Sequence, residues 1–181
     1  MLVHHYTNEA SLKDIEESGA IKPLSSRSAI GYGWMQYLLW LPKTHSDKGL
    51  YGILDKDLTK WNSDAFACKH FAKLKSKKGS LVKLSFELID TDMVEVLDEK
   101  VLYYDLLQEL VIKRNIKSLI DCIPIALPAR SLYCHYIDSR IPLQDYRGEF
   151  TLPVVFIGNS ISLERIVKKE IIPSKDKCTK L

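Results

Sequence analysis

The side chains in this chain that most often bind metals or attack substrates are its cysteines and histidines. The sequence holds four widely scattered cysteines, none with the close spacing of a zinc knuckle or a redox pair: Cys68, Cys122, Cys134 and Cys178. Cys68 with His70, and Cys134 with His135, have poor local spacing for a metal site. The pattern predicts reduced thiols in a cytoplasmic protein, and no metal centre.

A second group with chemical potential is a cluster of lysines: Lys69, Lys73, Lys75, Lys77 and Lys78. The formal net charge of +3 is mild and does not by itself imply a nucleic-acid partner, because such binding needs a basic face rather than a basic total. Two interpretations of the cluster stay open. It is either a solvated helix end, where cations complement the carbonyl end of the helix dipole, or a patch that contacts phosphate.

Length and composition limit what can position such residues. At 181 residues, with 46% hydrophobic and 27% charged side chains, the chain is predicted to fold as one globular domain, residues 1–181. Its apolar runs, such as Ile123 to Leu127, are too short to cross a bilayer, so no membrane partner is expected. Met1 to His5 lacks the pattern of a secretory signal.

The N-terminal segment predicts a strand followed by a helix. Leu2 to Tyr6 is the strand, and Asn8 stands where a helix cap belongs. Leu12 and Ile15 supply a short apolar face, and Gly19 ends the helix.

The next segment, Pro23 to Gly33, is rich in Ser, Gly and Pro and is predicted to be a long loop. The apolar run Tyr37 to Leu41 then suits a buried strand, whereas residues 43–60 look irregular and polar. Ser63 is a candidate cap for a helix from Asp64 to about Lys75.

The second half begins with the clearest strand, Ser80 to Leu88, where apolar and polar side chains alternate as in a half-buried strand. Met93 to Leu97 is a shorter strand, and Val101 to Ile120 carries a helical stripe. Two strand-like runs, Phe150 to Ile157 and Ser160 to Ile166, close the chain. Because strands and helices do not alternate regularly, the order predicts an α+β fold rather than a doubly wound parallel sheet.

The opening segment also resembles a known motif. Leu2-Val3-His4-His5-Tyr6-Thr7, followed by a helix and Ser18-Gly19-Ala20-Ile21-Lys22-Pro23, is similar to the first motif of the ADP-ribosyltransferase superfamily, in its His-Tyr-Glu branch. That branch includes poly-ADP-ribose polymerases, diphtheria-type toxins, DNA-targeting bacterial toxins and tRNA 2′-phosphotransferases. The aligned histidine is His5, and His4 should face the other side of the strand.

The other two motifs of the branch have weaker counterparts. The aromatic residue that stacks on nicotinamide corresponds to Trp40, with Tyr37 and Tyr32 as alternatives. The late glutamate corresponds to Glu149, in Gly148-Glu149-Phe150-Thr151-Leu152-Pro153-Val154-Val155-Phe156.

The resemblance implies a fold of split antiparallel sheets with flanking helices, and NAD⁺ as a substrate. Glu149 and His5 would be the catalytic residues, since a carboxylate stabilises the cation-like sugar and a histidine holds its hydroxyls. The implied cofactor-binding residues are His5, Tyr6, Thr7, Arg27, Trp40 and Tyr37. Arg27 would pair with phosphate. Outside the motif set, each residue also has an ordinary structural interpretation, with Trp40 in the core and Arg27 as a solvated loop charge.

The function implied is mono-ADP-ribosyl transfer to a macromolecule, either protein or nucleic acid (DNA included), in a cytoplasmic bacterial or phage toxin with an antitoxin partner. Two further enzyme functions stay open: NAD⁺ hydrolysis and RNA 2′-phosphate transfer. A third alternative is a catalytically inactive module of the same fold that binds a nucleotide or a partner protein.

Overall fold

The structure, a computed structural model, describes residues 1–25, 48–64, 80–100 and 139–172, which contain ten strands and two complete α-helices. The helices are α1 (Glu9–Ser18) and α2 (Leu58–Ser63). The strands are β1 (Leu2–Asn8), β2 (Ala20–Ile21), β3 (Leu24–Ser25), β4 (Lys48–Leu54), β5 (Leu81–Glu87), β6 (Val94–Asp98), β7 (Ile141–Pro142), β8 (Pro153–Ile157), β9 (Ile161–Ser162) and β10 (Ile166–Ile172). Single turns of 3-10 helix cover Asp55–Asp57, Leu143–Asp145 and Leu163–Arg165.

Eight of the strands form one sheet in the order β10-β5-β1-β4-β8-β6-β7, with β3 beside β4. Strands β2 and β9 form a separate two-stranded sheet. Every strand pair in the described residues is antiparallel. The predicted α+β class is therefore confirmed, and the finer arrangement into split sheets stays a prediction.

The central strand β1 pairs very unequally with its two neighbours. It pairs with β5 along its whole length, from Leu2 opposite Glu87 to Asn8 opposite Leu81. Its ladder with β4 contains only two pairs, Val3 with Leu54 and His4 with Ile53. Because that ladder ends at His4, the second half of β1 has no backbone partner in β4.

The core packs apolar side chains from both ends of the chain against the central strands. Val3, Phe86, Val155 and Ile157 are fully buried, and they belong to one cluster that also takes in the apolar side of α1. Burial of this kind contributes about 1.5–3 kcal/mol for each large apolar side chain. The sheet that positions the site is thus held by contacts between segments far apart in sequence.

Helix α1 follows its predicted signals. The Asn8 side chain accepts a hydrogen bond from the Ser11 amide at 3.0 Å, and Gly19 closes the helix in the left-handed region at φ 71°. Leu12 and Ile15 are buried, as expected from their spacing.

Strand β4 lies where the sequence predicted an irregular segment, so that expectation is wrong. Gly49 and Gly52 interrupt the alternation of apolar and polar side chains that indicates a strand. At each of these positions a side chain from a neighbouring strand leaves no room for a Cβ atom. A Cβ at Gly49 would lie 1.9 Å from the Phe156 ring, and one at Gly52 would lie 2.5 Å from Val3. Glycine lowers local strand propensity, but here it allows close packing of sheet neighbours.

Other boundaries also differ from the prediction. Ser63 is the last residue of α2 and its hydroxyl donates to the Lys60 carbonyl oxygen; the amides that it would cap in the predicted following helix lie outside the described residues. The strand expected from Phe150 starts at Pro153. The run expected from Ser160 to Ile166 is divided between β9, a 3-10 turn and the start of β10. The segments 26–47, 65–79, 101–138 and 173–181 lie outside the described residues, and with them the predicted strand at Tyr37 to Leu41, the predicted helix at Val101 to Ile120 and most of the helix predicted from Asp64 to about Lys75.

Candidate functional site

A cavity of about 430 Å³ lies where β1 and β4 separate. Its walls come from residues 5–8 of β1, one face of α1, β2 with Lys22, and residues 49–51 of β4. The volume is within the range of small-molecule sites, roughly 300–1,000 Å³. Strand β3 pairs with β4 beside this wall, with Leu24 opposite Gly49.

His5 spans the gap between the two diverging strands. Its Nδ1 donates a hydrogen bond to the Tyr51 carbonyl oxygen at 2.8 Å, and because a carbonyl can only accept, the ring proton sits on Nδ1. Burial lowers the pKa of His5, although the Tyr51 carbonyl acts in the opposite direction. His5 is therefore neutral near neutral pH, with Nε2 as a hydrogen-bond acceptor, and the residue lines the cavity.

The polar groups around His5 include two opposite charges. Asp14 on α1 and Lys22 after β2 both line the cavity, together with Thr7 and Ser11. Within the described residues, neither Asp14 nor Lys22 forms an ion pair or a hydrogen bond through its charged group. The cavity thus offers an acceptor at His5, an anion at Asp14 and a cation at Lys22.

The apolar wall of the cavity is supported from behind. Ile15, Ile21 and Leu50 are buried at its surface. Tyr51 adds an aromatic ring, which meets Phe156 edge to face with the ring centres 5.4 Å apart. Tyr51 thus orients His5 through its carbonyl oxygen, while its own ring is held by Phe156.

The predicted catalytic glutamate lies in a different part of the structure. Glu149 is exposed in the turn of residues 147–152 that precedes β8 (here called the Glu149 turn), and it does not line the cavity. Its carboxylate accepts a hydrogen bond from the Arg147 amide at 2.9 Å. The Glu149 backbone amide, with the Arg147 amide and guanidinium, lowers the pKa of this carboxyl. In the ladder between β4 and β8, Leu50 of the cavity wall pairs with Ile157, the last residue of β8. The Glu149 turn precedes β8, so it lies beyond the opposite end of this ladder, away from Leu50.

Several contacts hold the Glu149 turn in place. Lys60 Nζ donates to the carbonyls of Gly148 at 2.7 Å and Phe150 at 2.8 Å, on either side of Glu149. Asp98 accepts from the amides of Thr151 and Leu152 at 2.8 and 2.9 Å. The backbone of the turn that carries the Glu149 carboxylate is thus held by four hydrogen bonds with Lys60 and Asp98.

His4 faces away from the cavity, as the strand alternation predicts. Its Nε2 donates to Asp55 at 2.9 Å and its Nδ1 bonds to the Ser85 hydroxyl at 2.8 Å. This contact buries Ser85, which is 1% exposed although the alternation placed it on the solvent side of β5. A buried serine cannot attack a substrate, so the Ser–His–Asp chain is structural rather than hydrolytic.

The predicted site residues divide into three groups. His5, Tyr6 and Thr7 line the cavity together, Glu149 stands apart from them, and Arg27, Trp40 and Tyr37 lie outside the described residues, as does Tyr32. Sequence reasoning missed Asp14, Lys22 and Tyr51. The three-residue spacing of Asn8, Ser11 and Asp14 on one helix face is a signal that could have found Asp14.

Two structural features are absent from the described ranges. No group of three or more His, Cys, Asp or Glu residues within them is arranged to hold a metal ion. No helix there has the length and apolar character needed to span a bilayer.

Comparison of the chain with protein-family models, with curated proteins and with solved structures finds no match.

Proposed function

We propose that this chain binds NAD⁺ in the cavity beside His5 and transfers ADP-ribose to a macromolecular acceptor. The observation that carries the proposal is the neutral His5 ring, held by the Tyr51 carbonyl with Nε2 left as an acceptor. An acceptor fixed in this way suits a sugar hydroxyl, which is a donor. Lys22 supports the same ligand class, because an ammonium group in the cavity wall complements phosphate.

The cavity also has apolar surfaces of the kind that hold flat rings. Tyr51 and Leu50 line one side, and Ile15 and Ile21 line another. A ligand with aromatic rings, ribose hydroxyls and phosphates, as in NAD⁺, matches this combination of walls. The pairing of apolar lining with a few oriented polar groups is usual for small-molecule sites.

The reaction breaks the bond between the nicotinamide nitrogen and ribose C1′, and nicotinamide leaves with the bonding electrons. The acceptor's nucleophile forms the new bond to C1′ and gives up its proton. A carboxylate stabilises the cation-like sugar between these events. The resemblance assigns that role to Glu149, which lies outside the cavity wall in the described part of the chain.

The test is nicotinamide release from NAD⁺, measured for wild type, His5→Asn and Glu149→Gln, each with and without a cell lysate. Release that requires both the lysate and His5 supports a transferase. Release without lysate indicates NAD⁺ hydrolysis instead. No release, together with no NAD⁺ binding by calorimetry, refutes the proposal. A separate incubation with 2′-phosphorylated RNA tests the phosphotransferase function.

A second candidate is a binding module that holds a nucleotide without turning it over. The separation of Glu149 from the cavity favours it, because the hydrogen bond to the Arg147 amide directs this carboxylate to its own turn. In that case, wild type binds NAD⁺ and releases no nicotinamide. Glu149→Gln then has no effect on NAD⁺ affinity.

A further inference from the structure

Asp14 and Lys22 are two opposite charges in one cavity wall that do not neutralise each other. Within the described residues, neither head group has an ionic or hydrogen-bonding partner. Among the other charged residues of α1, Glu16 is the one that is paired in this part of the chain, and it accepts a hydrogen bond from Lys169 at 2.6 Å. Unpaired charges at the surface of a cavity are available to a ligand, because no protein contact has to be broken.

The helix register explains why Asp14 reaches the cavity. Asn8, Ser11, Asp14 and Ser18 follow one another at spacings of three or four residues, and all of them line the cavity. The exposed carboxylate of Glu17 does not line it. Asp14 is therefore the acidic side chain that the described structure brings to the cavity, whereas Glu149 is not in its wall.

The chemistry of the three polar groups defines the ligand they fit. A carboxylate accepts hydrogen bonds and donates none, and the Nε2 of the neutral His5 ring also only accepts. Both therefore require donors from the ligand, and the ribose hydroxyls of a nucleotide are such donors. Lys22 only donates and carries positive charge, so it requires an anionic acceptor such as phosphate.

We propose that Asp14 binds ribose hydroxyls of the ligand and that Lys22 binds its phosphate, so that this pair orients the nucleotide in the cavity. Carboxylates bind ribose diols in this way in other nucleotide sites. The proposal rests on the proposed function for the identity of the ligand as an adenine dinucleotide. It makes Asp14 a ligand-binding residue, independent of what Glu149 does.

The experiment is calorimetric titration with ADP-ribose, which has the ribose hydroxyls and pyrophosphate but no nicotinamide bond to cleave. Asp14→Asn is expected to weaken binding by about tenfold, because it removes a charged acceptor. Lys22→Gln is expected to weaken binding at low ionic strength and to reduce the salt dependence of the affinity. The matched controls are Glu17→Gln and Lys13→Gln, which remove the same charges from α1 outside the cavity wall; circular dichroism checks that each variant is folded.

The outcomes separate the two proposals. If Asp14→Asn binds ADP-ribose as tightly as Glu17→Gln does, while His5→Asn binds it weakly, the role of Asp14 is wrong and the proposed site stands. If wild type binds neither ADP-ribose nor NAD⁺, both proposals are wrong. If Asp14→Asn and Lys22→Gln weaken binding and their controls stay within about twofold of wild type, the orienting pair is supported.

Discussion

Acidification is expected to destabilise this protein through His4 and His5, because both rings are neutral in the folded state. Burial is the main cause that lowers the pKa of His4, although Asp55 and Glu170 oppose it and Lys83 adds to it. Burial also lowers the pKa of His5. In the unfolded chain both rings return to the ordinary value of 6.5.

The sign of the effect follows from proton binding. As the pH falls below about 6.5, the unfolded state takes up protons that the folded state does not, so the free energy of unfolding decreases. The decrease continues until the folded-state pKa of each ring is reached. One such histidine changes the free energy of unfolding by up to about 1.4 kcal/mol per pH unit, and the pair by up to about 2.7 kcal/mol per pH unit.

The measurement is urea unfolding at a series of pH values from about 7 to about 5 for wild type and His4→Leu. The variant is less stable at every pH, because it leaves the Ser85 hydroxyl without its partner, but its pH dependence should be smaller by up to about 1.4 kcal/mol per pH unit. A ring titration by NMR gives an independent result if the variant does not fold. Equal slopes for the two proteins, or a His4 midpoint at or above its ordinary value, would refute the reasoning.

Three further perturbations test the packing behind the cavity wall, the support of the Glu149 turn and an ion pair outside the cavity wall. Gly49→Ala is expected to cost about 1–3 kcal/mol in urea unfolding, because its Cβ would overlap the Phe156 ring that supports the cavity wall; unchanged stability would contradict this packing. Lys60→Met removes hydrogen bonds to the carbonyls on either side of Glu149 and should lower the free energy of unfolding by about 1–3 kcal/mol. It should also increase the rate of amide exchange more in the Glu149 turn than in α1. Asp92→Asn should cost on the order of 3 kcal/mol, since the Asp92 side chain, which is 0% exposed, pairs with the Arg165 guanidinium at 2.6 Å; a loss well below 1 kcal/mol would show that the ion pair contributes little.

The stability from Asp92 also has its own pH range, separate from that of the histidines. Burial raises its pKa, but hydrogen bonds from Arg165, the Ile89 amide and Asn159 outweigh burial and lower the pKa to about 2. A lowered carboxyl pKa stabilises the fold above the unfolded value and is lost as the pH falls toward about 2.

The sequence determines the elements whose signals are local. Asn8 and Gly19 set the two ends of α1, because a cap needs only a side chain within three residues and a stop needs only a residue that tolerates positive φ. The alternation in β5 likewise locates that strand. The α+β class follows from the order of such elements.

Tertiary structure decides which of these elements meet. The alternation of β5 could not show that Ser85 is buried, because the burying group, His4, is 81 residues away. Strand β4 was missed because its glycines meet Phe156 and Val3, which belong to other strands.

The candidate site divides in the same way. The opening motif indicates His5, Tyr6 and Thr7, which the structure brings to one cavity. Asp14 lies in the cavity wall because of the way α1 packs on the sheet. Glu149 lies outside it because of the register of β8 against β4. The packing of α1 and the register of β8 both depend on contacts between residues that are distant in the chain. Local sequence patterns do not specify such contacts.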